Sequence, residues 1–205
     1  MKSRNIIYIF LGIGATILLY YTFQGAGASE AFSNEINKER QEKDAFMRSA
    51  DGSPFANKKD SFTGLKYFPP NLKYRIQADL RPVEKREAIT LTTNDGKSQS
   101  YLKYAWAEFD FENLHNKLLI LEVLDEGPER GQLFLAFADE TSANETYGAG
   151  RYLDLKKVPG ASTITLDFNK SYNPYCAYSD TYSCPFPPSE NLLKIAVRAG
   201  ELSYK

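Results

Sequence analysis

The sequence predicts a mainly β domain, an antiparallel sandwich or partly closed barrel with one N-terminal α-helix, preceded by a single transmembrane helix. Three observations lead there. From residue 73 onward, short β-branched, aromatic and aliphatic runs succeed one another with turn signals between them. The gaps between those runs leave no room for the helical crossovers that a parallel sheet needs. The two segments that do not look like strands, one apolar and one rich in helix formers, both fall within the first 50 residues.

The apolar segment is Ile6–Phe23, IIYIFLGIGATILLYYTF, which carries no charge. It is about long enough to cross a bilayer as a helix and longer than the roughly 7–15 apolar residues of a signal peptide. Lys2 and Arg4 precede it, which places the N-terminus in the cytoplasm and the domain outside. Ala26-Gly27-Ala28 also offers a cleavage site of small residues, so an anchor and a removed signal both stand open, and either exports residues 29–205. The expected organisation is residues 1–28 as anchor and spacer and residues 29–205 as one β-rich domain. That domain is held at the inner membrane through residues 6–23, on the periplasmic or extracytoplasmic side.

Glu30–Ala50 reads as a helix: it is rich in Glu, Lys, Arg, Gln and Ala, lacks Pro and Gly, has Ser29 to cap it and Gly52 and Pro54 to stop it. Steps of three and four trace the stripe Phe32, Ile36, Arg40, Lys43, Met47, Ala50. Its two central cations either snorkel from an apolar face or reach an acidic partner or anionic ligand. The expected strands are Lys73–Leu80, Ala88–Thr93, Tyr101–Phe111, Lys117–Leu124, Gln132–Ala138, Arg151–Leu155, Ser162–Phe168 and Leu192–Arg198. Asn94-Asp95-Gly96 is a strong turn signal after the second of them.

Composition excludes several functions. The net charge of -1 and the lack of a basic stripe give nucleic acid nothing to bind. A single histidine, His115 in a turn-like FENLHNK, rules against a His-based metal site or a Ser-His-Asp triad. Gly148-x-Gly150 lacks the third glycine and following helix of a dinucleotide fingerprint. No metal or cofactor is expected.

Polar residues gather instead at the ends of the later strands. Asp139, Tyr147, Arg151, Tyr152 and Asp154 come in quick succession, and Gly148 and Gly150 permit tight turns or close approach there. Arg151 either forks onto a ligand carboxylate or phosphate or pairs with Asp139, Asp154 or Asp167 within the fold. The stretch Asp167–Asn191, DFNKSYNPYCAYSDTYSCPFPPSEN, adds Asn169, Tyr172 and Asn173 as ligand-binding candidates and Asp167, Cys176 and Glu190 as catalytic ones. Cys176 and Cys184, eight positions apart, read as a disulfide, as inert buried thiols, or as reactive or metal-binding thiols. Glu190 and Asn191 are placed to turn inward.

At these residues the chain resembles the bacterial domain of unknown function family number 1684. The shared motifs are Glu39-Arg40, Lys43-Asp44, Phe46-Met47 and Ser53-Pro54, then FADET (Phe137–Thr141), TYGAGRYLDL (Thr146–Leu155), the stretch Asp167–Asn191, and AGE (Ala199–Glu201). The resemblance runs from about residue 35 onward and implies a mostly β domain; it brings no reaction, ligand or catalytic residue. Relatives without an export segment carry both cysteines, which weighs against a disulfide. Three functions stay open. One is a binding module for a small polar or anionic ligand, with Arg151, Arg40 and Lys43 for charge and Tyr147, Tyr152 and Tyr172 for walls. The second is a hydrolase using paired carboxylates among Asp139, Asp154, Asp167 and Glu190 as acid and base, or Cys176 as nucleophile. The third is a structural interaction domain of the envelope.

Overall fold

The segment rich in helix formers is a helix, and the β-branched runs after it pair into one sheet. The structure is a computed structural model and describes residues 27–57, 61–124 and 127–205. The apolar run at residues 6–23, with the anchor or signal assigned to it, lies outside the described residues. Among the described residues no helix is long and apolar enough to cross a membrane. Helix α1 occupies residues 27–49. Ser29 therefore sits within the helix rather than at its cap, and the last residues of the expected spacer are helical. Beyond residue 49 the chain turns through Gly52, where Ser53 Oγ donates to the Met47 carbonyl at 2.6 Å.

Seven strands come next: β1 (Arg75–Pro82), β2 (Ala88–Thr92), β3 (Ser98–Phe111), β4 (Leu114–Val123), β5 (Leu133–Phe137), β6 (Arg151–Leu155) and β7 (Thr163–Asp167). They form one antiparallel sheet in the order β6-β5-β4-β3-β1-β7, with β2 beside β1 along the same edge of the long β3. The sheet curls into a half-barrel. The partly closed barrel is thus the architecture adopted, and the sandwich is not. Strands β3 and β4 meet in a two-residue turn at Glu112 and Asn113, both with positive φ, as a tight hairpin requires. His115 sits exposed at that hairpin, against Asp110.

The curl gives the sheet two buried faces. Ala107, Phe109, Leu118, Ile120, Leu135 and Leu153 belong to the core inside it. On the outer face, Tyr101, Leu119, Leu121, Phe134, Ala136 and Tyr152 lie under Cys176 and Cys184. A register shift between Lys103 and Ala105 lets β3 serve both: Tyr101 precedes the bulge and faces outward, while Ala105 and Ala107 after it are buried inside.

The eighth expected strand, Leu192–Arg198, is not a strand. Its alternation is real, since Leu193, Ile195, Val197 and Ala199 are all buried in the inner core. Ala138 and Leu192 form a single parallel bridge, and no ladder continues from it. The reason is that side chains, those of Asn191 and Arg151, take backbone groups a neighbouring strand would have used.

Candidate functional site

Strand β6 alternates, and that one property separates the candidates into two groups. Arg151, Leu153 and Leu155 point into the half-barrel. Tyr152 and Asp154 point out, onto a cavity of about 770 Å³. The cavity is bounded by the outer face of the sheet, by α1 and by the loop after β7.

Helix α1 presents Ile36, Glu39, Arg40 and Lys43 to that cavity. This is the stripe read from the sequence: Phe32, Ile36 and Met47 are buried, and the two cations sit between them. The Arg40 guanidinium lies 4.5 Å from the centre of the Tyr67 ring and donates to the Phe68 carbonyl at 2.9 Å and the Asn169 carbonyl at 3.4 Å. Its Nε and the Tyr67 hydroxyl are buried, and neither has a hydrogen-bond partner among the described residues. Burial pulls the Arg40 pKa down, partly offset by Tyr67 and Asp167. Burial pushes the Tyr67 phenol far up, so it stays neutral.

Lys43 is matched from within. Its Nζ lies 3.0 Å from Glu201 and 4.4 Å from the centre of the Tyr172 ring. Glu201 is wholly buried and also accepts from Asn173 Nδ2 at 2.9 Å, from the Asn173 N–H at 3.4 Å and from the Tyr178 hydroxyl. Donors on every side make a buried carboxylate tolerable. Glu201 reaches them because Gly200 adopts φ +77°, and a Cβ there would meet the carbonyls of Ser171 and Phe168 at 2.6 and 2.7 Å. Lys170, the third cation on the wall, pairs with Glu39 at 2.6 Å.

Arg151 does not face the cavity. It is 1% exposed, donates to Asp139 Oδ2 at 2.7 Å and to the Val197 carbonyl at 2.8 Å, and bonds the Ala199 carbonyl. Those carbonyls belong to the segment expected to be a strand and its continuation, so a guanidinium stands where a neighbouring strand would have been. Gly150 before it has φ +87° and lies against the Phe137 carbonyl, where a side chain would collide at 2.6 Å.

The remaining candidates fall on both sides of the cavity wall. Tyr152, Asn169 and Tyr172 line the cavity, whereas Asp139, Tyr147 and Asn173 do not. Asn169 ties its amide to the backbone of Asn71, and Tyr172 donates to Asp154 Oδ1 at 2.7 Å. Asn173 holds Glu201, and Tyr147 reaches Cys176. The carboxylates suggested for acid–base work do not converge. Asp139 is bound to Arg151, Asp167 caps the turn at Asn169, Asp154 serves Tyr172, and Glu190 is exposed with Ser189 as its partner.

Cys176 and Cys184 come together as their spacing suggested, but they stand as two buried free thiols rather than a disulfide. The loop that carries them is fastened to the turn at Asn94-Asp95-Gly96. Cys184 N–H donates to Asn94 Oδ1 at 2.7 Å, Asn94 N–H to the Cys184 carbonyl at 3.1 Å, and Ser183 Oγ to Asp95 Oδ1 at 2.8 Å. With the loop in place, Tyr175, Tyr182 and Cys184 complete the far wall of the cavity.

Sequence reasoning missed Glu201, Tyr67 and the aromatic floor of Tyr101 and Phe134. Glu201 carried a legible signal: it continues the inward phase Leu193, Ile195, Val197, Ala199 by one more step of two. A charge on an inward phase needs a partner, and Lys43 on the inward stripe of α1 is that partner.

Comparison with known proteins agrees with this architecture. Among solved structures, the chain is similar to the solution NMR structure of an uncharacterised protein from gene locus rrnAC0354 of Haloarcula marismortui. The two share 37% identity over 86% of this chain and 96% of that one, with a TM-score of 0.64. No curated protein matches the sequence. A family model described as a protein of unknown function, DUF1684, matches residues 60–202. The chain therefore belongs to the DUF1684 family of proteins of unknown function.

Proposed function

We propose that this domain binds a small anionic ligand in the cavity between α1 and the outer face of the sheet. The observation that carries the reading is Arg40. It lies on the cavity wall, and among the described residues it makes no ion pair and leaves a buried Nε without a partner. The two neighbouring cations, Lys43 and Lys170, are already matched by Glu201 and Glu39. An arginine fork at a sheltered site is suited to a carboxylate or phosphate, and a cavity of about 770 Å³ is the size that small-molecule sites have. Binding is favoured over hydrolysis because the candidate acids and bases sit apart, each with its own structural partner.

The test is isothermal titration of the purified full chain with inorganic phosphate and small carboxylates, against their neutral amides. Saturable binding of an anion is expected, weakened at least tenfold in Arg40→Gln and largely kept in Arg40→Lys, with both variants folded by circular dichroism. Equal binding in parent and Arg40→Gln overturns the reading.

The same proposal places the binding domain outside the inner membrane, tethered through residues 6–23. The support is the charge-free run behind Lys2 and Arg4. Protease added to intact spheroplasts is expected to digest the domain. A fully protected domain would remove the tether from the proposal.

A further inference from the structure

We propose that the ligand is a small aromatic monocarboxylate, its ring seated on the aromatic floor of the cavity and its carboxylate at Arg40; this rests on the anion-binding reading above.

The floor is a connected row of rings. Tyr101 and Phe134 stack with centroids 5.3 Å apart and planes 16° from parallel. Phe134 meets Tyr152 edge-on at 4.7 Å, and Tyr152 meets Tyr172 edge-on at 6.0 Å. Lys43 Nζ closes the row, 4.4 Å from the Tyr172 ring centre. The row thus leads from β3 to the cationic end at α1.

The hydroxyl protons of that row are already given away. Tyr101 donates to Gln99 Oε1 at 2.9 Å, Tyr152 to the Pro185 carbonyl at 2.6 Å, and Tyr172 to Asp154 Oδ1 at 2.7 Å. What the row offers a ligand is therefore ring surface. Aromatic rings gain from offset or edge-on contact with other rings beyond the area they bury, an advantage an alkyl chain lacks. Along this row a polyhydroxylated ligand would press its hydroxyl groups against ring faces, which a desolvated site punishes.

Charge at the other end limits the head group. Among the described cations on the wall, Arg40 alone lacks an acidic partner, while Glu39, Glu129 and Asp154 line the same cavity. One guanidinium without an ion pair, influenced by Asp167 only at longer range, suits a single negative charge. The planar guanidinium fork matches a planar carboxylate, and a dianionic phosphate or diphosphate would meet repulsion that Arg40 does not offset.

The test titrates the full chain with four probes: 2-naphthoate, decanoate, inorganic phosphate and the neutral 2-naphthylmethanol. The expected result is saturable binding of 2-naphthoate, at least tenfold tighter than each of the other three. It should weaken at least tenfold in Arg40→Gln and severalfold in Tyr172→Leu, with thermal unfolding of both variants recorded alongside. If phosphate or decanoate binds as tightly as naphthoate and depends on Arg40, the anion site stands and the aromatic class is overturned. If naphthylmethanol equals naphthoate, the carboxylate assignment is overturned. If no probe binds, both this inference and the anion-binding reading fall.

Discussion

Cys176 and Cys184 look alike in the sequence and are made unlike by two hydrogen bonds. The Cys176 N–H donates to Cys184 Sγ at 3.1 Å, which by itself favours a Cys184 thiolate, and the two side chains interact through a thiol–thiol hydrogen bond assigned to run from Cys184 to Cys176. The Tyr147 hydroxyl lies 4.0 Å from that same sulfur. Donors stabilise a thiolate. The thiol–thiol interaction therefore lowers the Cys176 pKa against the opposing effect of burial, and it pushes the Cys184 thiol far up together with burial, against the Cys176 N–H. Alkylation by iodoacetamide, followed by peptide mass spectrometry across a pH series, is expected to mark Cys176 and spare Cys184. The midpoint should fall below the ordinary thiol value of about 8.5. Cys184→Ala removes the donor, so the Cys176 midpoint should move up. Faster labelling of Cys184 in the parent would show that the assigned direction of the thiol–thiol bond is wrong.

Asn191 shows why some contacts could be read from the chain and others could not. Strands β4 and β5 pair through only two register positions, Leu121 with Phe134 and Glu122 with Leu133. Further along, Asn191 is inserted: its Oδ1 accepts from Leu119 N–H at 2.6 Å, and its Nδ2 donates to the Leu119 and Ala136 carbonyls at 2.9 and 2.8 Å. Residue order does announce an inward turn after Ser189-Glu190, and Asn191 makes it while Glu190 stays out. Nothing in the order shows that a side chain will stand between two strands, because the divergence of β4 from β5 is set by the curl of the whole sheet. The same holds for the Asn94-Asp95-Gly96 turn. It is plain as a turn, yet its use as the fastening for the cysteine loop depends on residues about 90 positions away. Replacing Asn191 with Ala leaves an N–H and two carbonyls in the core without partners. At about 1–3 kcal/mol for each such group, destabilisation by at least ~3 kcal/mol is expected in urea unfolding. Amide exchange should accelerate at Leu119 and Ala138, the latter donating to the Asn191 carbonyl. A loss under about 1 kcal/mol would mean water or a shifted strand takes over these groups.

The whole molecule depends on the two faces of a curled sheet being filled differently. The outer face holds the aromatic floor and the cavity; the inner face is apolar except where Arg151 with Asp139, and Glu201 at the end of the inward phase, enter it. The strand pattern was legible because β-branched alternation is a local property, and seven of eight expected strands form. The helix stripe was legible for the same reason, down to Arg40 and Lys43. What could not be read was the partner of each inward charge, since Arg151 with Asp139 and Lys43 with Glu201 are joined by the fold and not by spacing. Arg151 closes the inner core by holding the final segment through the carbonyls of Val197 and Ala199. Substituting Arg151 with Met should therefore cost about 3–5 kcal/mol, because it leaves the Asp139 carboxylate buried and unpaired. Removing both charges, as Arg151→Met with Asp139→Leu, should not restore the parent. Asp139 Oδ1 also accepts from the Thr141 N–H at 2.7 Å and hydroxyl at 2.6 Å, and the two tail carbonyls still lack a donor. Guanidinium unfolding of both variants checks this. If the double variant unfolds within about 1 kcal/mol of the parent, the pair is a replaceable charge in the core. If it stays as unstable as the single variant, Arg151 is what fastens the final segment to the sheet and thereby positions Glu201 beneath Lys43 at the edge of the cavity.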